Sequence, residues 1–244
     1  MSIKNRITAL MVAGGLTIGS IFGLSACKNK NFEQPEDEKE KVEEVIPDAN
    51  NTVQLKQEIN ALFNNMEEAV NNQNFQAVHN LKSKDFETEE ERNYKANYYF
   101  NATNKTQVAQ ANDDGKISAL MVHDGEEVKW FSLEPEDVEI PEEYPNLISN
   151  ILQEYKSKCS QEGLIKIEKI NDAYILTFDS SIVKIYYSNN KILKIEESQN
   201  FGKESVENIV SFEELDSKEF DKKYSEVENK IEELNAEQNA NLNA

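Results

Sequence analysis

The stretch from Leu164 to Glu197, LIKIEKINDAYILTFDSSIVKIYYSNNKILKIEE, decides the architecture. Short runs rich in β-branched and aromatic residues, at 164–170, 173–179, 182–188 and 191–197, are separated by pairs such as Asn171-Asp172, Ser180-Ser181 and Asn189-Asn190. Pairs of that kind are tight-turn chemistry, because Asn and Asp tolerate positive φ and bond to their own backbone. Four short strands in sequential hairpins follow. Downstream, the turn at 200–202 precedes another strand at 206–212. Upstream, Tyr94, Ala96, Tyr98 and Phe100 alternate with Lys95, Asn97 and Tyr99, the period of a half-buried strand. Residues 105–111, 116–123 and 126–132 extend it to a four-strand meander, with hairpin turns at Asp113-Asp114-Gly115 and Asp124-Gly125.

Helical periodicity brackets these strands. Leu55, Ile59, Leu62, Met66 and Val70 repeat at three- and four-residue steps from Thr52 onward. Asn71-Asn72-Gln73-Asn74 reads as a turn into a second short helix through Phe75, Val78 and Leu81. Residues 133–143 are acidic and carry Pro135 and Pro141, so they form a loop. The loop leads to a helix at 144–158 that shares Leu147, Ile148, Ile151, Leu152 and Tyr155 on one face. A last helix from Lys218 spaces Phe220, Tyr224, Val227, Ile231 and Leu234 as a heptad seam, too short for a coiled coil and expected to pack on the domain. The residues after Gln238 are polar and expected to be disordered.

The first 27 residues speak of export. Lys4 and Arg6 precede an apolar run at 7–24, which ends in Leu24-Ser25-Ala26-Cys27. Those four residues resemble the lipobox of bacterial lipoproteins. The resemblance implies cleavage after Ala26, lipidation of Cys27, and attachment to the extracytoplasmic face of a cell membrane by acyl chains, two of which anchor where one is marginal. The chain then divides into a signal peptide at 1–26, an acidic disordered tether at 27–51, a domain at 52–217, and an amphipathic helix with a polar tail at 218–244. The net charge of −20 argues against nucleic acid as a partner and leaves the lipid anchor, not charge, to hold the chain at a membrane. With Cys27 lipidated, Cys159 has no partner for an intramolecular disulfide, so stability comes from the core.

Catalytic signatures are missing. His79 and His123 are far apart, His123 flanks a turn, and no phosphate loop, nucleophile elbow, C-x-x-C or calcium loop occurs. Acidic pairs such as Glu142-Glu143 suit solvated faces. Cys159, near a helix C-terminus, suits an inert thiol. No cofactor, metal site or enzymatic activity is expected.

The strand Val206-Glu207-Asn208-Ile209-Val210-Ser211-Phe212, its continuation through Glu213-Glu214-Leu215 to Phe220, and the hairpin Asp124-Gly125-Glu126-Glu127-Val128-Lys129-Trp130-Phe131 resemble the lipoprotein carrier and LppX/LprG-like (LolA-like) superfamily over residues 52–220. The resemblance implies an α+β fold: a curved antiparallel half-barrel of about nine or more strands wrapped around helices, enclosing an apolar cavity for acyl chains. Tyr98, Phe100, Met121, Trp130, Phe178, Ile185 and Tyr187 are then the candidate cavity residues. The same side chains equally suit a dry core against the helices. No basic patch is present to receive an anionic headgroup, which leaves neutral acyl ligands, a lipidated or cationic partner, or no lipid at all. Two alternatives stand beside a lipid-binding lipoprotein. One is a non-catalytic envelope sensor that docks partners through the seam at Val227 and Ile231. The other is an NTF2-like domain, which the run from Met66 to Val78 resembles, although such chains are usually shorter.

Overall fold

The computed structural model describes residues 49–133, 146–160, 163–200, 202 and 204–242. Cys27, the signal peptide, the tether up to residue 48 and most of the acidic loop lie outside the described residues. The element order is α1 (Ala49–Asn72), β1 (Phe75–Asp85), β2 (Glu91–Asn101), β3 (Thr106–Asp113), β4 (Lys116–His123), β5 (Val128–Ser132), α2 (Leu147–Ser160), β6 (Leu164–Ile170), β7 (Ala173–Phe178), β8 (Ser181–Ser188), β9 (Lys191–Asn200), β10 (Glu204–Glu214) and α3 (Ser217–Leu242).

All ten strands form one curved antiparallel sheet in the order β5-β4-β3-β2-β1-β10-β9-β8-β7-β6. The chain meanders outward from β1 to β5, resumes after α2 at the far edge with β6, and meanders inward to β10. There β10 pairs with β1, from Phe75↔Glu214 to Asp85↔Glu204. The two ends, β5 and β6, do not meet, so the sheet is a half-barrel rather than a closed one. The hairpins use the expected turn residues: Asn189 and Asn190 both have positive φ (50° and 59°), as do Asp114 and Gly115 (46° and 79°), the twist-matched two-residue turn.

One expectation fails at the centre. Residues 75–81 are not a second short helix but the start of β1, which brings the strands among the described residues to ten. Phe75, Ala77 and His79 are buried while Gln76, Val78 and Asn80 are less so, a period of two. The three-residue spacing of Phe75, Val78 and Leu81 mimics a helix. A strand flanked on both sides by β10 and β2 forms every ladder bond, and that tertiary pairing overrides local preference. Asn74 fixes the corner: its Oδ1 accepts from Ala102 N (3.0 Å), its Nδ2 donates to Ser217 Oγ (3.0 Å), and its carbonyl accepts from Leu215 N (2.9 Å).

Two cores sit on the two faces. On the inner face α1 and α2 pack against the sheet through Ile59, Phe63, Met66, Leu152 and Tyr155. Burial of each such side chain is worth about 1.5–3 kcal/mol. On the outer face α3 covers β2–β5, with Phe220, Val227 and Ile231 buried against Tyr99, Val108, Leu120, Val122 and Phe131. The heptad seam therefore packs on its own domain, and the surface assigned to a docking partner at Val227 and Ile231 is already filled. Asp216 caps α3 by accepting from Lys218 N (2.6 Å). At the other end Asn235 Nδ2 and Gln238 Nε2 donate to the carbonyls of Trp130 and Ser132 (3.2 and 3.5 Å), which ties α3 to edge strand β5. So anchored, the helix runs on through Leu242, where a disordered tail was expected.

Candidate functional site

Strand register, read row by row, builds the inner face. Phe212, Ala77, Tyr98, Ala109, Met121 and Trp130 lie directly opposite one another across β10, β1, β2, β3, β4 and β5. The adjacent row crosses the whole sheet: Lys169, Tyr174, Ile185, Ile195, Val210, His79, Ala96, Ala111, Ala119 and Ser132. Directly opposed residues of antiparallel strands share a face. The β6–β10 half is thus lined by branched side chains, and the β1–β4 half by alanines set between aromatic residues.

The seven candidate side chains share this face. Tyr98, Phe100, Met121 and Ile185 are buried in the inner core, with Phe178 and Tyr187 partly buried against it. Tyr187 stacks on Tyr174, with centroids 5.1 Å apart and planes at 20°. Trp130, half-buried, shares the face through its register with Met121. The alanines and the polar groups among them carried no sequence signal of their own.

The polar groups form a buried chain in the next row. Asn208 donates through Nδ2 to the Tyr155 hydroxyl at 2.9 Å. That hydroxyl bonds onward to Glu197; burial first, then the negative charge of Glu197, pushes its pKa far above the ordinary phenol value. The Glu197 side chain is 1 % exposed and is paired with Lys158 from α2. A charge so placed needs such a partner, since an uncompensated buried charge costs several kcal/mol. Next to the chain sits His79, 3 % exposed, its ring edge-on to Tyr94 at 6.2 Å between centroids. Burial lowers its pKa to about 4, and a side-chain hydrogen bond with Asn208 opposes that shift. The imidazole is therefore neutral at physiological pH.

Further ties hold the helices to the sheet. Lys169 Nζ and the Tyr174 hydroxyl donate to Glu58 of α1 (2.8 and 2.9 Å), and these bonds lower the Glu58 pKa to about 2. Gln107 Oε1 on β3 accepts from Leu147 N at 3.1 Å, capping the start of α2. His123 ends β4 beside the Asp124 turn, as expected, and sits half-buried opposite Gln107, in the row of Phe100. Cys159 is buried, and burial pushes its thiol up to about 12. Among the described residues no three His, Cys, Asp or Glu side chains converge as a metal site, and no helix is long and apolar enough to cross a membrane.

No protein-family model matches the chain, and no curated protein does. Among solved structures it is similar to a LolA superfamily protein from Nitrosomonas europaea (11 % identity, 63 % of this chain and 90 % of that one, TM-score 0.24). It is also similar to a DUF1329 family protein from Desulfovibrio piger (10 %, 64 % and 90 %, 0.27). A third is a putative outer membrane lipoprotein-sorting protein domain from Vibrio parahaemolyticus (10 %, 66 % and 96 %, 0.25). The half-barrel of this chain stands on its own strand pairing.

Proposed function

We propose that this protein is a membrane-anchored extracytoplasmic lipoprotein that binds a lipid, an acyl chain or a lipidated partner on the inner face of its half-barrel. The observation that carries this is the wall of Ala77, Ala96, Ala109, Ala111 and Ala119, flanked by Tyr98, Phe100 and Met121, in a sheet left open between β5 and β6. Ligand sites are mostly apolar, with a few placed polar groups. Small side chains beneath two amphipathic helices make a surface on which a polymethylene chain lies flat. Each methylene withdrawn from water contributes about 0.8 kcal/mol. The wall is buried in the arrangement described, so α1 and α2 move to load a ligand. Glu58, Tyr155 and Lys158 tie them to the β6–β10 half, and loading also breaks the Gln107–Leu147 bond that holds the start of α2 to β3. The lipidated Cys27 and the acidic tether supply the membrane attachment. The protein is a carrier or sensor and performs no catalysis.

Photo-crosslinking tests this on the full chain. Cells expressing it are fed a diazirine-bearing fatty acid, irradiated, and the labelled peptides are mapped. Adducts on β2 to β5, at or near Tyr98, Phe100 and Met121, are expected. Labelling confined to residues 1–48 would report the anchor alone and overturn the binding reading.

A further inference from the structure

The two edges of the sheet are finished differently. At β5 the side chains of Asn235 and Gln238 donate to the carbonyls of Trp130 and Ser132, so α3 takes up that edge. At the other end β6 pairs, among the described elements, with β7 alone. Alternation sets which of its backbone groups are left over. Asn171-Asp172 is a two-residue turn, so Ile170 and Ala173 exchange both hydrogen bonds, and the pairs Glu168–Ile175 and Lys166–Thr177 follow. The N–H and C=O of Ile167 and Lys169 then point away from β7. A row of such groups is a template for another strand. The usual safeguards are weak here. The bulge of β6 falls at Ile165, outside the regular run at 166–170. A lysine turned inward guards many edges, but Lys169 is held by Glu58 at 2.8 Å.

We propose that β6 is a self-association edge, on which the β6 strand of a second copy of this chain pairs antiparallel about a two-fold axis at Ile167 and joins two ten-stranded sheets into one. Register and charge choose this occupant. With Ile167 opposite the partner's Ile167, the two exchange both hydrogen bonds through groups that β7 leaves free. Lys166 then stands opposite the partner's Glu168, and Glu168 opposite the partner's Lys166. These are non-hydrogen-bonded positions, where side chains across a ladder lie closest. Lys166 and Glu168 already share one face, 2.9 Å apart and 50 % and 39 % exposed, so each meets opposite charge both along and across the strands. Opposite charges directly across a ladder favour pairing and like charges oppose it. The apolar ends agree. Ile165 and Ile170 are 59 % and 49 % exposed, and antiparallel pairing sets the Ile165 end of one strand beside the Ile170 end of the other. A two-fold axis makes every contact twice. The edge is separate from the alanine wall, so self-association stands or falls without lipid binding.

Sedimentation velocity of the full chain in density-matched detergent tests it, at about 0.15 M salt to screen the net charge of −20. The native chain is expected to form a dimer that grows with protein concentration. Lys166→Glu and Glu168→Lys each put like charges at both cross-strand positions, and each is expected to weaken the dimer about tenfold. An equimolar mixture of the two variants is expected to recover it as a heterodimer, because every position again meets its opposite. Recovery in the mixture also excludes misfolding as the cause of the loss. A native chain that stays monomeric at every concentration would overturn the proposal and leave the edge to a strand of another protein. A dimer that neither variant weakens, or that the mixture does not recover, would overturn it too and place the interface elsewhere.

Discussion

Asn208 on β10 and Tyr155 on α2 are joined by a 2.9 Å hydrogen bond inside the half-barrel, 53 residues apart in sequence. This bond places a helix of the inner face and a central strand in fixed relation, and it orients the amide that bonds to His79. Tyr155→Phe removes the hydroxyl and leaves both Asn208 Nδ2 and Glu197 short of a partner. A loss of about 1–3 kcal/mol in urea unfolding is expected. A loss below a few tenths would show that the chain of bonds is not formed.

Acid should weaken the fold through His79. Its pKa is lowered in the folded state, from 6.5 to about 4. Between those values the unfolded chain binds the extra proton, so stability rises with pH across the window and is lost as pH falls through it. The full difference is on the order of 3 kcal/mol. Unfolding free energies measured from pH 7 to pH 4 should show that slope, and His79→Phe should flatten it. An unchanged slope in the variant would assign the effect to other groups.

The outer core makes a separate prediction. Phe220 is buried at the start of α3 between the sheet and Tyr224, with ring centroids 6.4 Å apart. Phe220→Ala should cost about 3–5 kcal/mol in chemical denaturation. A cost under 1 kcal/mol would mean that α3 does not rest on β2–β5, and would return the seam to use as a docking surface.

Much of the sheet was legible because its signals are local. Alternation over Tyr94–Phe100 and the paired turn residues at Asn171-Asp172 and Asn189-Asn190 specify strands and hairpins within a few residues. The strand at Phe75 was not, because its identity lies in its neighbours: β10 is more than a hundred residues away, and the segment alone fits a helix as well. The aromatic and aliphatic candidates could be gathered from alternation. The alanine wall could not, since Ala77, Ala96, Ala109, Ala111 and Ala119 become one surface only once the register of four strands is known. His79 was hidden by the same error. With residues 75–81 taken as a helix, nothing set it on the inner face beside Asn208.

An acyl chain seated on the inner face would lie near the sole tryptophan, Trp130, which stands at the end of the Tyr98–Ala109–Met121 row. Its fluorescence in the full chain should be titrated with a monoacylglycerol carrying bromine on the acyl chain, against the same lipid without bromine. Saturable quenching by the brominated lipid alone, abolished by Met121→Arg, is the predicted result. Identical emission with both lipids, from folded protein, would contradict it.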